Sequence, residues 1–258
     1  MRSRCALVLA AALAAPGAAF PAPQRSVAVA VAANLRPAFE EIAARFEKAN
    51  PGVEVKATFG ASGIFFAQIS NGAPFDLFLS ADAEYPARFV EKGLAEGSAF
   101  TYAYGKLVVW VPRGSALDLE AKGLAALADP SVQRIAIANP EVAPYGRAAR
   151  SALEKAGLYP RLKDRLVMGQ NVSQAAQFVQ SGNAQAGFIP LSLARSPPLS
   201  EQGRAWPLPA SSYERIEQAG VVLKGAREAG LARELATFLG GPAAKDVLER
   251  YGYDLPAR

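Results

Sequence analysis

One segment, Phe59–Asp82, constrains the fold of this chain more than any other, and its sequence is FGASGIFFAQISNGAPFDLFLSAD. It contains, in order, a turn of small residues, a helical pattern, a break at Gly72–Pro74 and an apolar strand at Leu77–Leu79. Strand-like and helical patterns alternate in the same way along the rest of the chain, which favours α/β architecture. With 258 residues, the chain is long enough for one large domain or for two lobes that each have a core.

The first residues have the pattern of a secretory signal peptide. Arg2 and Arg4 precede an apolar run, Ala6–Ala15, that is too short to span a membrane. Small residues follow this run, so we expect residues 1–19 to be removed and the mature chain to start near Phe20. The protein is then predicted to be periplasmic, and soluble because no second long apolar run follows.

The composition and the charge exclude other classes of protein. Hydrophobic residues make up 51% of the chain and charged residues 20%, which is typical of a globular protein. Removing Arg2 and Arg4 leaves 26 basic and 23 acidic residues, a net charge of +3 that is scattered without basic tracts. Such a weak and dispersed charge does not support nucleic-acid binding.

Two residue types that support much enzyme chemistry are missing from the predicted mature chain. The sequence has no histidine, and its one cysteine, Cys5, lies in the signal segment. Ser-His-Asp triads, thiol catalysis, disulfides and metal sites built on histidine or thiolate are therefore excluded. Ser62 lacks the spacing of a Gly-x-Ser-x-Gly elbow, so a dyad with Lys56 or Lys106 is the remaining enzymatic alternative. We expect no enzyme activity and no cofactor.

The order of apolar runs predicts that the chain crosses between two lobes. The long run Phe100–Pro112 is predicted to be one strand leading from a first lobe to a second, and Gln218–Leu223 is predicted to return. The proline-rich, polar segment Arg195–Leu208 is interpreted as a surface loop. The predicted division assigns residues 25–104 plus 214–258 to lobe I and residues 105–213 to lobe II.

Four strand-to-helix turns place a small or polar residue at the start of a helix: Asn34, Ser62, Tyr145 and Val172. The first N–H groups of a helix have no partner inside it, and the helix dipole adds partial positive charge there, so such a terminus binds anions. Two of the turns precede the predicted crossing strand and two follow it, so facing lobes would surround one cleft with four helix N-termini. The alternative for Asn34 and Ser62 is an ordinary N-cap of the following helix, whereas Asp82 is predicted to cap its helix, with a metal ligand as its alternative.

Six motifs follow one another along the chain in the order found in a known family. They are AANLRPAFEEIAARFE from Ala32, FGASGIFFAQISNGAPFDLFLSAD from Phe59, FTYAYGKLVVW from Phe100, IANPEVAPYGRAA from Ile135, NVSQAAQFVQSGNAQAGFI from Asn171, and the ending GPAAKDVLERYGY. Together they resemble the periplasmic molybdate-binding proteins, the ModA family, which are the soluble receptors of ABC importers. The resemblance covers nearly the whole predicted mature chain, and GAPFDLFLSAD and NPEVAPYG are its most specific segments.

The resemblance implies a fold and a site. The fold is the two-lobed type II periplasmic binding fold, each lobe a mostly parallel sheet flanked by helices, which closes on one tetrahedral oxyanion, molybdate or tungstate. By position, the Asn34 side chain would donate to the anion, beside the Ala33 N–H, where many members have a serine. Ser62 would donate from its hydroxyl and its N–H, and Tyr145 and Val172 would donate from the backbone. No residue is implied to ligate the metal atom directly.

One position departs from the family. Many members have a tyrosine just after the strand that ends in GFI, whereas this chain has Pro190, which has no donor. The Tyr145 hydroxyl could replace that tyrosine, or Tyr145 could only pack against the wall of the cleft. The departure leaves two alternatives for the ligand, another oxyanion such as sulfate or a small organic anion.

The expected donor set predicts selectivity. Molybdate and tungstate are fully ionised at neutral pH, whereas phosphate is partly protonated and needs an acceptor for its proton. None of the four helix starts is an Asp or a Glu, so the site would favour fully ionised anions. The implied partner is the membrane permease of an ABC importer, which Arg36 and Arg88 could contact unless they are simply solvated charges. The receptor is expected to be a monomer.

Overall fold

The computed structural model describes residues 25–256, which form two five-stranded sheets with helices packed against them. The predicted signal segment, with Cys5, lies outside the described residues, and its removal stays a prediction. Within residues 25–256, no helix combines the length and the apolar character needed to cross a membrane.

The elements alternate between strand and helix, as the sequence pattern predicted. The strands are β1 Arg25–Ala32, β2 Val53–Gly60, β3 Leu77–Leu79, β4 Phe100–Gly105, β5 Leu107–Pro112, β6 Ile135–Ala138, β7 Leu166–Gly169, β8 Ala186–Pro190, β9 Gly203–Pro207 and β10 Ile216–Val222. The α-helices are α1 Arg36–Ala49, α2 Ser62–Ser70, α3 Glu84–Glu91, α4 Leu119–Lys122, α5 Pro144–Lys155, α6 Tyr159–Leu162, α7 Val172–Gln180, α8 Leu191–Ala194, α9 Leu199–Gln202, α10 Ala229–Leu239 and α11 Pro242–Arg250. Short 3₁₀ helices lie at Ala33–Leu35, Gly123–Ala128, Lys163–Arg165 and Ala210–Ser212.

The two sheets have the same plan. The strand order is β2-β1-β3-β10-β4 in the first sheet and β7-β6-β8-β5-β9 in the second. Three adjacent strands pair in parallel in each sheet, while β10 and β5 are antiparallel to both of their neighbours. Four of the five strands in each sheet therefore run in one direction, which agrees with the mostly parallel sheets expected for a two-lobed binding protein.

The first sheet is buried because helices cover both of its faces. β1 has the sequence RSVAVAVA, whose β-branched and small residues suit a parallel strand enclosed on two sides. Val29 packs into one core with α1, and Ala30 packs on the opposite face with Phe78. Four apolar residues at helical spacing, at and after the start of α1, are buried against this sheet: Leu35, Phe39, Ile42 and Phe46.

The run Phe100–Pro112 consists of two strands rather than the one strand that was predicted. β4 ends at Gly105 in the first sheet and β5 begins at Leu107 in the second, with Lys106 between them. Lys106 therefore joins the two sheets, and a Cβ at the neighbouring Gly105 would overlap the Tyr145 hydroxyl. The predicted lobe boundaries themselves remain a prediction.

The segment Arg195–Leu208 is not the surface loop that its composition predicted. It contains α9 and β9, and β9 pairs antiparallel with β5 at the edge of the second sheet. Edge strands tolerate proline and polar residues because one side of their backbone has no ladder to complete. The composition of an edge strand therefore resembles that of a loop.

Candidate functional site

A small cavity lies between the two sheets, at the carboxyl ends of their parallel strands. Its volume is about 10 Å³. The lining residues follow β1, β2, β3, β6 and β7, and they are Ala32, Ala33, Asn34, Gly60, Ala61, Ser62, Ala81, Ala143, Pro144, Tyr145, Asn171 and Val172. This is the edge at which open α/β sheets bind ligands. The fold thus brings together all five predicted site residues: Ala33, Asn34, Ser62, Tyr145 and Val172.

Ser62 is the first residue of α2, and it is buried. The N–H of a first helical residue has no acceptor within the helix. The Ser62 Oγ accepts a hydrogen bond from the Ala81 N–H at 3.0 Å, which leaves the hydroxyl proton free to donate. The alternative that Ser62 caps its own helix is wrong, because the N-cap is Ala61 and makes no side-chain cap bond. Ser62 can therefore offer two donors to a ligand.

Tyr145 is the second residue of α5 and contributes a backbone N–H from the other sheet. It follows Pro144, which has no N–H. The next two amides in the helix, those of Gly146 and Arg147, both bond to the Ala143 carbonyl. The Tyr145 N–H is therefore the first N–H of this helix, and it has no acceptor within the helix.

Val172 is the first residue of α7. The Asn171 side chain caps the helix by accepting from the N–H groups of Ser173 and Gln174, at 2.9 and 3.1 Å. This cap does not use the Val172 N–H, and no acceptor exists for it inside the helix. Asn171 and Val172 both line the cavity, so the uncapped amide lies in its wall.

The Asn34 side chain does not cap a helix, while its donation to an anion stays a prediction. It lies in the 3₁₀ turn Ala33–Leu35, and neither this turn nor α1 has a side-chain cap, so the predicted N-cap role is wrong. Its Nδ2 donates instead to Gln218 Oε1 at 2.8 Å and to Tyr253 OH at 3.0 Å. Its Oδ1 is buried and has no hydrogen-bond partner among the described residues. Ala33 lies beside it in the same turn and is also buried.

The Tyr145 hydroxyl is buried in the polar contacts between the sheets. It accepts a hydrogen bond from Gln218 Nε2 at 3.0 Å. Burial raises the pKa of this hydroxyl well above its ordinary value, so it stays neutral. Pro190 ends β8 opposite Leu107, and it is not among the residues that line the cavity.

Sequence reasoning missed three buried residues behind the cavity: Tyr102, Gln218 and Tyr253. Gln218 contacts Asn34, Tyr145 and Tyr102, and these residues come from distant parts of the chain. A signal was present in the sequence, since Gln218 is the one polar residue in the predicted strand Gln218–Leu223. A buried polar side chain needs partners, which marks such a position as a candidate for a network.

No charged side chain lines the cavity, but two residues close in sequence to its lining residues form an ion pair. Arg147 of α5 pairs with Asp82, which follows β3. Burial raises the pKa of the Asp82 carboxyl, against the lowering effects of the Tyr85 N–H and the Arg147 charge. Asp82 was predicted to cap α3; its Oδ1 does accept from the Tyr85 N–H at 3.2 Å, although the N-cap residue is Ala83. Among residues 25–256, no three His, Cys, Asp or Glu side chains are grouped as a metal site would need.

Comparison with known proteins finds one matching family, two similar sequences and one similar solved structure. Residues 27–254 match the family described as "Bacterial extracellular solute-binding protein". The "Molybdate-binding protein ModA" of Azotobacter vinelandii is 42% identical over 230 residues, 89% of this chain and 90% of that protein. The protein of the same name from Rhodobacter capsulatus is 42% identical over 238 residues, 92% of this chain and 91% of that protein. The solved structure of the Azotobacter vinelandii periplasmic molybdate-binding protein has a TM-score of 0.84 and 36% identity, and the match covers 90% of this chain and all of that one.

Proposed function

Because the chain belongs to the bacterial extracellular solute-binding proteins, and among them to the ModA family, we propose that it binds molybdate between its two sheets and delivers it to an ABC importer. The two relatives at 42% identity are named for molybdate binding. All five predicted ligand contacts line one cavity, which supports the same assignment.

The observation that carries the proposal is a cavity lined by helix starts and by no charged side chain. Ser62 and Val172 begin their helices, and Tyr145 follows the proline that begins a third. The partial positive charge and the free N–H groups of these termini stabilise an anion without a cationic side chain. The Ser62 hydroxyl adds a donor that is oriented by the Ala81 N–H.

The same lining supports a preference for fully ionised anions. A carboxylate in the site would repel a fully ionised anion and would accept the proton of hydrogen phosphate, and none lines the cavity. The cavity, at about 10 Å³, is also far smaller than the roughly 300–1,000 Å³ of pockets for drug-sized organic ligands. Both features favour a small, fully ionised inorganic anion over an organic one. Tungstate has the same charge and shape as molybdate, and we propose that it binds too.

The wider role follows from this class of receptor. We propose that the protein acts in the periplasm, as a monomer, that it passes the anion to a membrane permease, and that it has neither enzyme activity nor a resident cofactor. Closure of the two sheets around the anion would be driven by contacts that exist only in the closed state. The permease would then distinguish the loaded receptor from the empty one by its shape.

Isothermal titration of the mature protein with molybdate, tungstate, sulfate and phosphate tests the proposal. We expect one-to-one binding of molybdate and tungstate, and at least a hundredfold weaker binding of the other two, about 2.7 kcal/mol. Binding of sulfate in preference to molybdate would mean that the family scaffold serves another oxyanion. Binding of none of the four would contradict the proposal altogether.

A further inference from the structure

A buried hydrogen-bond network joins Asn34 to Tyr145 through Gln218. Gln218 lies in β10 and has no exposed surface. Gln218 Oε1 accepts from Asn34 Nδ2 at 2.8 Å, and Gln218 Nε2 donates to Tyr145 OH at 3.0 Å. Two more hydroxyls contact these amides: Tyr102 OH, 3.1 Å from Gln218 Oε1, and Tyr253 OH, 3.0 Å from Asn34 Nδ2. All five side chains are buried, so each hydrogen bond left unmade in this network is costly.

In this arrangement of donors and acceptors, three polar groups of the network lack a suitable hydrogen-bond partner. Asn34 Oδ1 has no partner among the described residues. The Tyr145 hydroxyl accepts from Gln218, but its own proton has no acceptor among residues 25–256. The Tyr102 proton is directed at the Ser80 carbonyl at 2.7 Å, so Gln218 Oε1 faces a hydroxyl oxygen whose single proton is already used.

Turning both amides by 180° satisfies all three groups. A turned amide fills the same space with its donor and acceptor exchanged. Asn34 Oδ1 then accepts from Gln218 Nε2 and from Tyr253 OH. The Tyr253 proton turns away from the Asn34 carbonyl, which keeps the Ser192 hydroxyl as its donor. Gln218 Oε1 accepts the Tyr145 proton, and the second Gln218 N–H donates to Tyr102 OH. Only the Asn34 NH₂ group then lacks a hydrogen-bond partner. It occupies the former position of the unpartnered Oδ1, and Asn34 lines the cavity.

We propose that Gln218 is a positioning residue that sets the polarity of Asn34, and that the two amides turn together to present donors to the oxyanion. Neither amide can turn alone, because the Asn34–Gln218 contact at 2.8 Å would then join two oxygens or two NH₂ groups. Gln218 does not line the cavity and acts only through its partners. This inference rests on the proposed function, since the oxyanion is the ligand that selects the turned state.

The polarity of Asn34 also decides between two kinds of anion. With Oδ1 in the wall of the cavity, Asn34 accepts the proton of hydrogen phosphate; with its NH₂ group there, it donates to a fully ionised anion. By holding Asn34 in the second arrangement, Gln218 contributes to the discrimination of molybdate from phosphate. A residue that only filled space would not affect this ratio.

A double-mutant cycle on the mature protein tests the proposal. Gln218→Met keeps a side chain of similar length but removes both the donor and the acceptor, so Asn34 can present either edge. We expect molybdate affinity to fall about tenfold or more, as for loss of an oriented donor to a charged acceptor, and the phosphate-to-molybdate ratio of dissociation constants to shrink. In Asn34→Ser protein, whose hydroxyl orients itself, the same change should cost no more than about twofold.

Equal losses in the two backgrounds, with an unchanged ratio, would mean that Gln218 only packs, and would overturn the proposal. Should Gln218→Met fail to fold, the side-chain NH₂ resonances of ¹⁵N-labelled wild-type protein, assigned with Asn34→Ser, decide the question. We expect molybdate to shift both Asn34 NH₂ proton resonances, because they become donors to the anion. Molybdate binding that leaves these resonances unchanged overturns this inference alone, whereas absence of molybdate and tungstate binding overturns the proposed function and the inference with it.

Discussion

The Ser62 side chain shows how one hydroxyl can join two parts of the site. Its Oγ accepts from the Ala81 N–H at 3.0 Å, which fixes the start of α2 against the segment that follows β3. The same bond orients the lone pairs, so the proton is directed away from Ala81. A buried hydroxyl held in this way donates to an anion without further loss of rotational freedom.

Ser62→Ala should weaken molybdate binding while leaving the helix N-terminus in place. The variant keeps the backbone N–H but loses the hydroxyl donor, and a hydrogen bond to a charged group contributes about 1.5–3 kcal/mol, or roughly 10- to 150-fold in affinity. Titration calorimetry measures the change. Ser70→Ala, at the exposed end of the same helix, is the matched control and should bind as tightly as the wild type. Equal affinities for Ser62→Ala and Ser70→Ala would remove Ser62 from the site.

At the scale of elements, the position of α5 depends on a close approach to the strand before it. Gly146 lies in the first turn of α5, directly after Tyr145, in contact with the end of β6. A Cβ at this position would overlap the Ala138 carbonyl oxygen and lie 2.9 Å from the Pro140 nitrogen. The absence of a side chain at Gly146 therefore sets how deeply the N-terminus of α5 enters the wall of the cavity.

Gly146→Ala should both destabilise the protein and weaken anion binding. The methyl group pushes α5 off the backbone of β6, which costs about 1–3 kcal/mol as overpacking does, and it displaces the Tyr145 N–H. Urea denaturation and titration calorimetry measure the two effects. Gly230→Ala in α10 is the control: its Cβ would meet no atom within 4 Å, so the substitution should be neutral or stabilise by up to about 1 kcal/mol. A Gly146→Ala protein as stable as the control would contradict the close-packing account.

At the scale of the whole molecule, few polar contacts join the two sheet systems around the cavity. The Ser192 hydroxyl donates to the Asn34 carbonyl at 2.7 Å, and the Gly63 N–H donates to the Val142 carbonyl at 2.9 Å. The ion pair of Arg147 with Asp82 spans the same gap. Because Asp82 is largely buried, its charge is desolvated, which raises its pKa.

The raised pKa of Asp82 predicts how stability depends on pH. A carboxyl whose folded pKa exceeds its ordinary value of 3.8 binds its proton more tightly in the folded state, so its contribution is present below that value and is lost as pH rises through the folded pKa. Asp82→Asn removes this titration. We therefore expect the stability of the wild type, relative to Asp82→Asn, to fall as pH rises above 3.8, in urea denaturation at a series of pH values.

The control for that series is Asp164→Asn, which removes an exposed carboxylate that has no ion-pair partner among the described residues. A difference between wild type and Asp82→Asn that grows in favour of the wild type with rising pH would show that the attraction to Arg147 outweighs the cost of burial. The burial of Asp82 predicts the opposite, a wild type that loses stability relative to Asp82→Asn as pH rises.

Local patterns in the sequence predict the alternation of strands and helices and the helix starts that line the cavity. These features depend on neighbours in the chain: a buried strand, a small-residue turn and the free amides of the next helix lie within a few residues of one another. The errors arose where composition describes an environment poorly. The polar edge strand β9 has the composition of a loop. The crossing run Phe100–Pro112 shows no break in its apolar pattern, although it forms two strands.

Only the tertiary structure decided what the side chains at the site do. Asn34 meets Gln218 across 184 positions of sequence, and Gln218 meets Tyr145 across 73, so no local pattern could indicate that the Asn34 amide belongs to a network. Backbone donors keep their direction because the helix fixes it, whereas an amide side chain takes its direction from its partners. For that reason the Ser62, Tyr145 and Val172 amides could be predicted from the sequence, and the polarity of Asn34 could not.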